Sequence, residues 1–448
     1  MFESRPLVGA LAVGIQAQWS GEYKVSDKSG ALNYPQSPCI MLEGECGEAK
    51  TSMVKAVTDT FSSMLWNCAA PQQEPEDLLG MGMRSEYIMT LPDGTTQVVE
   101  VQRKIPSLEA VRLYEAHLNG VRTTLLVDEL GDAPKRVQSA YHKSLLDNSF
   151  GYFRDGKELV IPNLATVGCF NDPRISTSGS ATTHAVSNRS CTLEGWEMPF
   201  MEWVNGLTDG FQTPKLPVIA DDWQHTIRKV AFEVKLYLAD ESHKEDRKKC
   251  LEKIVEMGRD RWRPVATKRS WTHATILAAA AQSLHSAQGS GGEYWASQAS
   301  AIESLLIAGC VGKTVADNFL DWRNDLSLGD PAEYLSDEWL KGGQFVENRG
   351  DIVAATLSMV SAYYLQNKSV DNYKRLAKFL SRAFDMGTFQ GIVVSEVING
   401  RFYNARALPR GLDVKEGRKI RAESWSKFHK VIQENAIAQQ HIKNLNKG

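Results

Sequence analysis

A glycine-rich stretch near the N-terminus has residue types that could bind phosphate. Residues 41–52 read MLEGECGEAKTS, close to the pattern G-x-x-x-x-G-K-[ST]. The stretch supplies Gly44, Lys50 and Thr51, but Ala49 stands where the last glycine belongs. In such a loop, backbone N–H groups and the start of the following helix hold the phosphates. The lysine reaches the β- and γ-phosphates, and the hydroxyl holds Mg²⁺.

The stretch therefore predicts a nucleotide site, with Lys50 on the phosphates and Thr51 on the metal. The methyl group of Ala49 is tolerable if this residue adopts helical angles as the first residue of the helix. A glycine-rich turn without a ligand is the alternative, because motif matches carry a false-positive risk. The residues predicted to contact the nucleotide are Gly44, Glu45, Cys46, Gly47, Glu48, Ala49, Lys50, Thr51 and Ser52.

An acidic pair lies further along the chain. Asp128 and Glu129 end the apolar run RTTLLVDE (residues 122–129), which is typical of a buried parallel strand. Two carboxylates at the carboxyl end of such a strand lie where ligands bind in α/β folds. Asp128 is predicted to hold Mg²⁺, and Glu129 to activate the attacking water as general base. Capping of the next helix by both carboxylates is the alternative.

Three more polar residues follow in the chain. Asn171 ends a third apolar run, LATVGCFN (residues 164–171), and could orient the attacking water or serve an ordinary loop. Arg189 follows a polar helix, and Arg269 opens a helix in the string KRSW. Single arginines are mostly surface residues. The prediction that both are catalytic therefore depends on their order after the phosphate loop and the acidic pair.

The surrounding elements must bring these residues together. Residues 38–43 predict a buried strand that stops at the loop. Apolar residues after Lys50 recur at helical spacing, namely Val54, Val57, Phe61 and Leu65. Strand, glycine turn and helix form the context that a phosphate loop requires. Helical patterns separate the three predicted strands, so the fold class is α/β, with a parallel sheet of the phosphate-loop NTPase kind flanked by helices.

We predict three parts in the chain. Residues 1–218 form the nucleotide-binding α/β domain, with hairpin inserts near residues 87–102 and 151–162 around Asp-Gly turns. Residues 219–330 form an all-α lid, and residues 331–448 an α-helical C-terminal extension. The extension has two alternative roles. It packs on the lid and stabilises a ring-shaped oligomer of the chain, or it offers a docking surface for a partner.

Composition and charge restrict the partners. The chain has 448 residues, with 42% hydrophobic and 23% charged, as in a soluble globular protein. Its net charge of −3 gives no general attraction to nucleic acid or anionic membranes. The seven cysteines form no C-x-x-C pair, which predicts reduced thiols and a cytoplasmic location. The apolar run at residues 7–15 is too short to cross a bilayer, so we predict a buried amphipathic helix and no membrane insertion.

The order of these features resembles that of AAA+ ATPases, and more narrowly of the MoxR-type branch, whose members act with partners carrying von Willebrand A domains. The string PEDLLG at residues 75–80 matches this branch, as does LLVDELGDAPKRVQSAYHKSLLD at residues 125–147. KRSW at residues 268–271 resembles the lid motif of the branch, and the two hairpins fall where it carries inserts. The resemblance covers roughly residues 1–330 and is specific in combination.

The resemblance implies ATP and Mg²⁺ as ligands and assigns a role to each matching residue. Lys50 and Thr51 correspond to Walker A, and Asp128 and Glu129 to Walker B. Alanine before the lysine also occurs in the branch. The remaining matches are Asn171 as sensor 1, Arg269 as sensor 2, and Arg189 as the finger that reaches a neighbouring subunit's nucleotide, with Arg174 as a nearby competitor.

A finger that acts between subunits implies a ring, normally a hexamer in this superfamily. The resulting hypothesis is an ATP-hydrolysing ring that remodels a protein partner, by analogy with MoxR-type chaperones. A nucleic-acid motor or loader built on the same ATPase domain is the first alternative, although the negative net charge of the chain argues against it. A nucleotide switch that does not hydrolyse ATP is the second.

Overall fold

The computed structural model describes most of the chain, and the residues divide into two compact units. One unit comprises residues 1–227 and 245–318, and the other comprises residues 228–244 and 319–448. The described residues are 5–21, 23–25, 32–153, 155–172, 182–211, 215–239, 241–251, 263–286, 292–325, 330–345, 350–386, 393, 409, 412, 416, 419 and 420. The predicted divisions after residues 218 and 330 stay predictions.

Strands and helices alternate in the first half of the chain, and helices follow. The elements up to the last strand are α1 (Pro6–Trp19), β1 (Tyr23–Val25), β2 (Leu32–Tyr34), β3 (Cys39–Gly44), α2 (Lys50–Thr60), β4 (Met64–Ala69), α3 (Pro75–Leu79), β5 (Met81–Thr90), β6 (Thr96–Ile105), α4 (Leu108–Leu118), β7 (Thr123–Asp128), α5 (Lys135–Asp147), β8 (Ser149–Tyr152), β9 (Glu158–Val160), β10 (Ala165–Phe170), α6 (His184–Ser187) and β11 (Ser190–Trp196). The later helices are α7 (Phe200–Asp209), α8 (Ile227–Ala239), α9 (Lys244–Leu251), α10 (Lys268–Gln282), α11 (Gly292–Val311), α12 (Lys313–Asp325), α13 (Pro331–Tyr334), α14 (Asp337–Gly342), α15 (Gly350–Gln366) and α16 (Val370–Asp385).

A five-stranded parallel sheet forms the centre of the first unit. Its strands lie in the order β11-β3-β10-β7-β4, and every neighbouring pair is parallel. Every residue of β3 and β10 is buried, because helices cover both faces of the sheet and leave no polar face on these strands. The predicted α/β fold class is therefore confirmed, and the strands predicted at residues 38–43, 122–129 and 164–171 correspond to β3, β7 and β10.

The two edge strands of this sheet were not predicted. The helical spacing after the loop was extended through Phe61 to Leu65, but α2 ends at Thr60 and Ser62 takes a left-handed φ of 53°. The chain then enters β4, whose pairing with β7 runs from Met64 to Ala69. A short apolar run fits the periodicity of a helix as well as that of a strand, and here the pairing with β7 makes the segment a strand. The other edge, β11, follows directly after Arg189.

The N-terminal helix α1 is buried around nearly its whole circumference. Twelve of its 14 residues are buried, so the amphipathic character predicted for residues 7–15 is wrong. The reason is its position, since α1 contacts strands β3, β10 and β11 as well as helices α10 and α11. A helix that is enclosed on all sides has no face towards solvent, so its sequence is not divided into a polar and an apolar face.

Both predicted hairpins are present. The first is longer than predicted, because β5 and β6 pair in unbroken register from Met81–Ile105 to Thr90–Thr96. Asp93 fixes its turn by accepting a hydrogen bond from the backbone N–H of Thr95 at 2.9 Å. The second hairpin pairs β8 with β9. A third, from β1 and β2, was not predicted.

The second unit is helical and has its own core. Tyr364 on α15 and Tyr373 on α16 are fully buried in this core, with ring centroids 5.7 Å apart. Arg382 on α16 donates two hydrogen bonds to the Gly343 carbonyl, at 2.8 and 2.9 Å, and so fixes the end of α14. Within the described ranges, no helix combines the length and the hydropathy needed to cross a bilayer.

A buried histidine in α10 makes the stability of the first unit depend on pH. His273 is 7% exposed, and burial, assisted by the charge of Arg269, lowers its pKa from 6.5 to about 4. Between these values the unfolded chain binds a proton that the folded chain excludes. The free energy of unfolding should therefore fall by up to about 3 kcal/mol as the pH drops from 6.5 to 4.

Urea unfolding between pH 7 and pH 4 tests this expectation. We expect His273→Gln to have a shallower loss of stability with falling pH than the wild type. His117→Gln, on the partly exposed end of α4, serves as the control and should retain the wild-type slope. Equal slopes for all three proteins would contradict the assignment.

Candidate functional site

The candidate site lies at the carboxyl ends of three neighbouring strands. Because β3, β10 and β7 run parallel and lie side by side, the residues that follow them meet at one edge of the sheet. The phosphate-loop sequence follows β3, the acidic pair ends β7, and Asn171 follows β10. Helix α2 begins at Lys50, so its N-terminus and its unpaired N–H groups face the same region.

Lys50 is held inside the loop by three acceptors. Its Nζ donates to the carbonyl oxygens of Gly44 at 2.8 Å and Glu45 at 2.6 Å, and to Oδ1 of Asn171 at 3.2 Å. The side chain is 9% exposed, and this burial holds the pKa of the ammonium below its usual value. The nearby Asp128 and Glu48 act in the opposite direction. At this buried position an anionic ligand would strongly stabilise the ammonium charge.

Thr51 and Asp128 form the second connection across the site. The Thr51 hydroxyl donates to Oδ2 of Asp128 at 2.6 Å, and the other carboxylate oxygen accepts the backbone N–H of Glu129 at 3.0 Å. A hydroxyl and a carboxylate that converge in this way fit Mg²⁺, which takes one or two protein oxygens and completes its shell with water and phosphate. The described residues contain no cluster of three His, Cys, Asp or Glu side chains that would offer another metal site.

Two residues without glycine's freedom take left-handed backbone angles at the site. Glu129 has φ 54° and ψ 36°, so the chain turns sharply directly after β7 and leaves this side chain exposed. Ala49 has φ 54° and ψ 26°. The condition of helical angles at Ala49 is therefore not met, and the loop carries strain at the position where the motif has glycine. Such strain is common at functional sites.

Glu48 attaches the loop to the end of β11 and to the segment that follows it. Its carboxylate accepts the backbone N–H of Met198 at 2.6 Å, and its carbonyl accepts Nε1 of Trp196 at 3.2 Å. The loop also approaches this segment closely at Gly44, where an added Cβ would lie 2.2 Å from the carbonyl oxygen of Trp196. Gly44 is thus required by packing as well as by the loop turn.

A cavity of about 620 Å³ contains most of the predicted site. Its lining includes the loop from Cys46 to Ser52, together with Asp128, Glu129 and Asn171. Gly44 and Glu45 contribute to the site through the carbonyls that hold Lys50. Five lining residues are not predicted from the sequence: Met53 and Ala56 on α2, and Met198, Trp203 and Phe211 beyond β11. The aromatic run MPFMEW at residues 198–203 was the available signal, but without the preceding strand β11 nothing connected it to the loop.

The two predicted arginines are not brought into this cavity. Arg189 donates from Nη1 to the Ala185 carbonyl at 2.8 Å, back onto α6, and Arg269 is an exposed residue in the first turn of α10. Neither side chain lines the cavity. Arg174, the competitor for the finger role, lies outside the described residues. The roles of these arginines stay predictions.

A second cavity, of about 680 Å³, shares the loop residues Gly44, Glu45 and Glu48. Its charged lining residues are mostly acidic, Glu194, Glu197 and Asp317 among them, with Arg263 and Lys313 as the basic ones. Lys50, Thr51 and Asp128 are not part of it. Both cavities hold an excess of carboxylates, but of the two only the first contains Lys50 and the start of α2, so it is the candidate phosphate site.

The fold and the site together define a phosphate-loop α/β protein. No protein-family model matches the chain, and no curated protein matches it either. Among solved structures, the chain is similar to a crystal structure from Cytophaga hutchinsonii described as a “putative ATPase”. The two chains are 12% identical with a TM-score of 0.36, over 70% of this chain and 91% of the other. A likeness at this level carries no functional argument, so function rests on the site.

The left-handed angles of Ala49 generate a stability prediction. Ala49→Gly should raise the free energy of unfolding by about 1 kcal/mol, because glycine has no Cβ to oppose the left-handed conformation. Ala56→Gly, inside α2, is a matched control that should lower it by about 1 kcal/mol. Urea unfolding of the three proteins at pH 7 measures both effects, and a loss of stability in Ala49→Gly would contradict the strain.

Proposed function

We propose that this chain is a Mg²⁺-dependent ATPase. The observation that carries the proposal is the convergence of Lys50, the Thr51–Asp128 pair and Glu129 in one cavity at the carboxyl edge of a parallel sheet. A cation at a helix N-terminus binds phosphate, an adjacent hydroxyl and carboxylate hold a metal, and a second carboxylate can take a proton. These are the three requirements of phosphoanhydride hydrolysis.

Lys50 and the start of α2 are proposed to hold the triphosphate. The pKa of Lys50 is lowered by burial, and a bound phosphate opposes this by favouring the ammonium form. Affinity for ATP should therefore be lost on the alkaline side, as the pH rises through this lowered pKa. Backbone N–H groups of α2 add donors with fixed direction, which need no reorganisation when the ligand binds.

Thr51 and Asp128 would hold Mg²⁺, which supplies neutralisation of the charge that develops on the phosphate oxygens. Their existing hydrogen bond of 2.6 Å keeps both oxygens within reach of one ion. Glu129 is exposed and lines the cavity, so its carboxylate has access to a water molecule and is proposed to accept its proton. Asn171 accepts a hydrogen bond from Lys50 through Oδ1, which leaves its amide N–H groups to orient that water.

More narrowly, we propose a MoxR-type AAA+ ATPase that forms a ring, normally a hexamer, and remodels a protein partner. The support is the order of the motifs, with PEDLLG and the D-E-x-x-x-A-P-x-x-V-Q core between the loop and Asn171. In this proposal Arg189 reaches the nucleotide of a neighbouring subunit and Arg269 acts within its own subunit. A partner carrying a von Willebrand A domain is proposed on the same ground.

ATP turnover tests the proposed chemistry. We expect Glu129→Gln to lower kcat at least 100-fold while ATP still binds, because only proton acceptance is removed. Lys50→Ala should abolish both binding and turnover. Glu109→Gln, on the exposed side of α4, is a matched control that should behave as the wild type. Phosphate release and equilibrium binding of ATP measure the two quantities, and a wild type that neither binds nor hydrolyses ATP would sink the proposal.

Mixing of inactive variants tests whether Arg189 acts between subunits. Arg189→Ala and Glu129→Gln should each be nearly inactive alone. In mixed assemblies, an intact Glu129 in one subunit can meet an intact Arg189 from its neighbour, so part of the turnover should return. Arg269→Ala mixed with Glu129→Gln is the control and should show no recovery, since both residues are needed in the same subunit. Absence of recovery in both mixtures would remove Arg189 from the finger role.

A further inference from the structure

Two aromatic side chains line the nucleotide cavity at positions that no motif assigns. Trp203, on α7, is 45% exposed, and Phe211, just after that helix, is 52% exposed. Both line the cavity of about 620 Å³ that also contains Lys50 and Asp128. Large apolar rings at the wall of a cavity that also contains charged side chains are suited to a ligand with both a charged and a flat apolar part.

The helix that carries Trp203 is fixed relative to the phosphate loop. On one side, Glu202 pairs with Arg5 at 3.4 Å, and the Glu202 side chain is almost fully buried. On the other side, the loop residue Glu48 accepts the backbone N–H of Met198, two residues before α7. These contacts hold Trp203 at a set place with respect to Lys50, as a binding surface requires.

Resting on the ATPase function proposed above, we propose that Trp203 and Phe211 form the surface on which the nucleobase of the bound nucleotide stacks. The phosphates lie at the Lys50 end of the cavity, and the base extends to the aromatic end. Stacking uses the π face that every base has, and it tolerates changes at the base edges. The surface therefore accepts nucleoside triphosphates as a class and discriminates weakly between their bases, adenine and guanine included.

Removal of the Trp203 ring distinguishes the contribution of the base to binding affinity from that of the phosphates. We expect Trp203→Ala to weaken Mg-ATP binding roughly 5- to 100-fold, the range that loss of one base–aromatic stack produces. Binding of Mg-tripolyphosphate, which has no base, should stay within about twofold of the wild type on the same reasoning. Trp203→Phe should restore most of the affinity for ATP, because phenylalanine also has a π face.

Leu207→Ala provides the matched control on the same helix. Leu207 is an apolar residue, 61% exposed, and it does not line the cavity. Its removal should leave the binding of both ligands unchanged. Isothermal titration of the four full-length proteins with each ligand, and of the wild type with Mg-GTP, measures all the required constants. The expected GTP affinity is within about tenfold of that for ATP.

The outcomes separate this inference from the function on which it rests. If the wild type binds both ligands and Trp203→Ala loses affinity for neither, the stacking surface is wrong while the ATPase proposal stands. If Trp203→Ala weakens tripolyphosphate as much as ATP, α7 shapes the phosphate site and the inference is overturned. If the wild type binds neither ligand, both proposals fail.

Discussion

The position of β10 between β3 and β7 is the constraint on which the site depends. Parallel pairing aligns Cys169 with Leu42 on one side and Gly168 with Val127 on the other. The three strands therefore end together, and the loop after β3, the acidic end of β7 and the residue after β10 are brought to one edge. Sheet hydrogen bonds, more than any contact between the polar residues themselves, place the amine of Lys50 near Asp128 and Asn171. A shift of register would separate them.

The sequence was sufficient for this central part for a physical reason. Strands buried on both faces read as unbroken apolar runs, and each of the three runs stops at a polar or glycine residue with a distinct chemical use. The spacing within the loop then fixes that Lys50 and Thr51 open a helix. Strand identity and strand-end chemistry are both local properties, and so they can be read without knowledge of the tertiary structure.

The parts that were missed depend on tertiary contacts. The segment after α2 has apolar residues that fit a helix, and only pairing with β7 makes it β4. Alanine favours right-handed helical angles, yet the loop enforces left-handed angles on Ala49. Trp203 is far from the loop in sequence. Its place in the cavity depends on two contacts, at Glu202 and Met198, that no sequence pattern predicts.

The three hydrogen bonds of Lys50 also determine what a binding measurement on this protein would report. An ammonium group has three N–H donors, and in the structure each has an acceptor supplied by the chain itself. A phosphate bound as proposed would have to exchange with the carbonyl and amide oxygens that accept hydrogen bonds from Lys50. The measured affinity is a difference between two sets of hydrogen bonds. The triphosphate proposed for this site would have to offset the loss of these three acceptors before its own contacts with Lys50 add to the affinity.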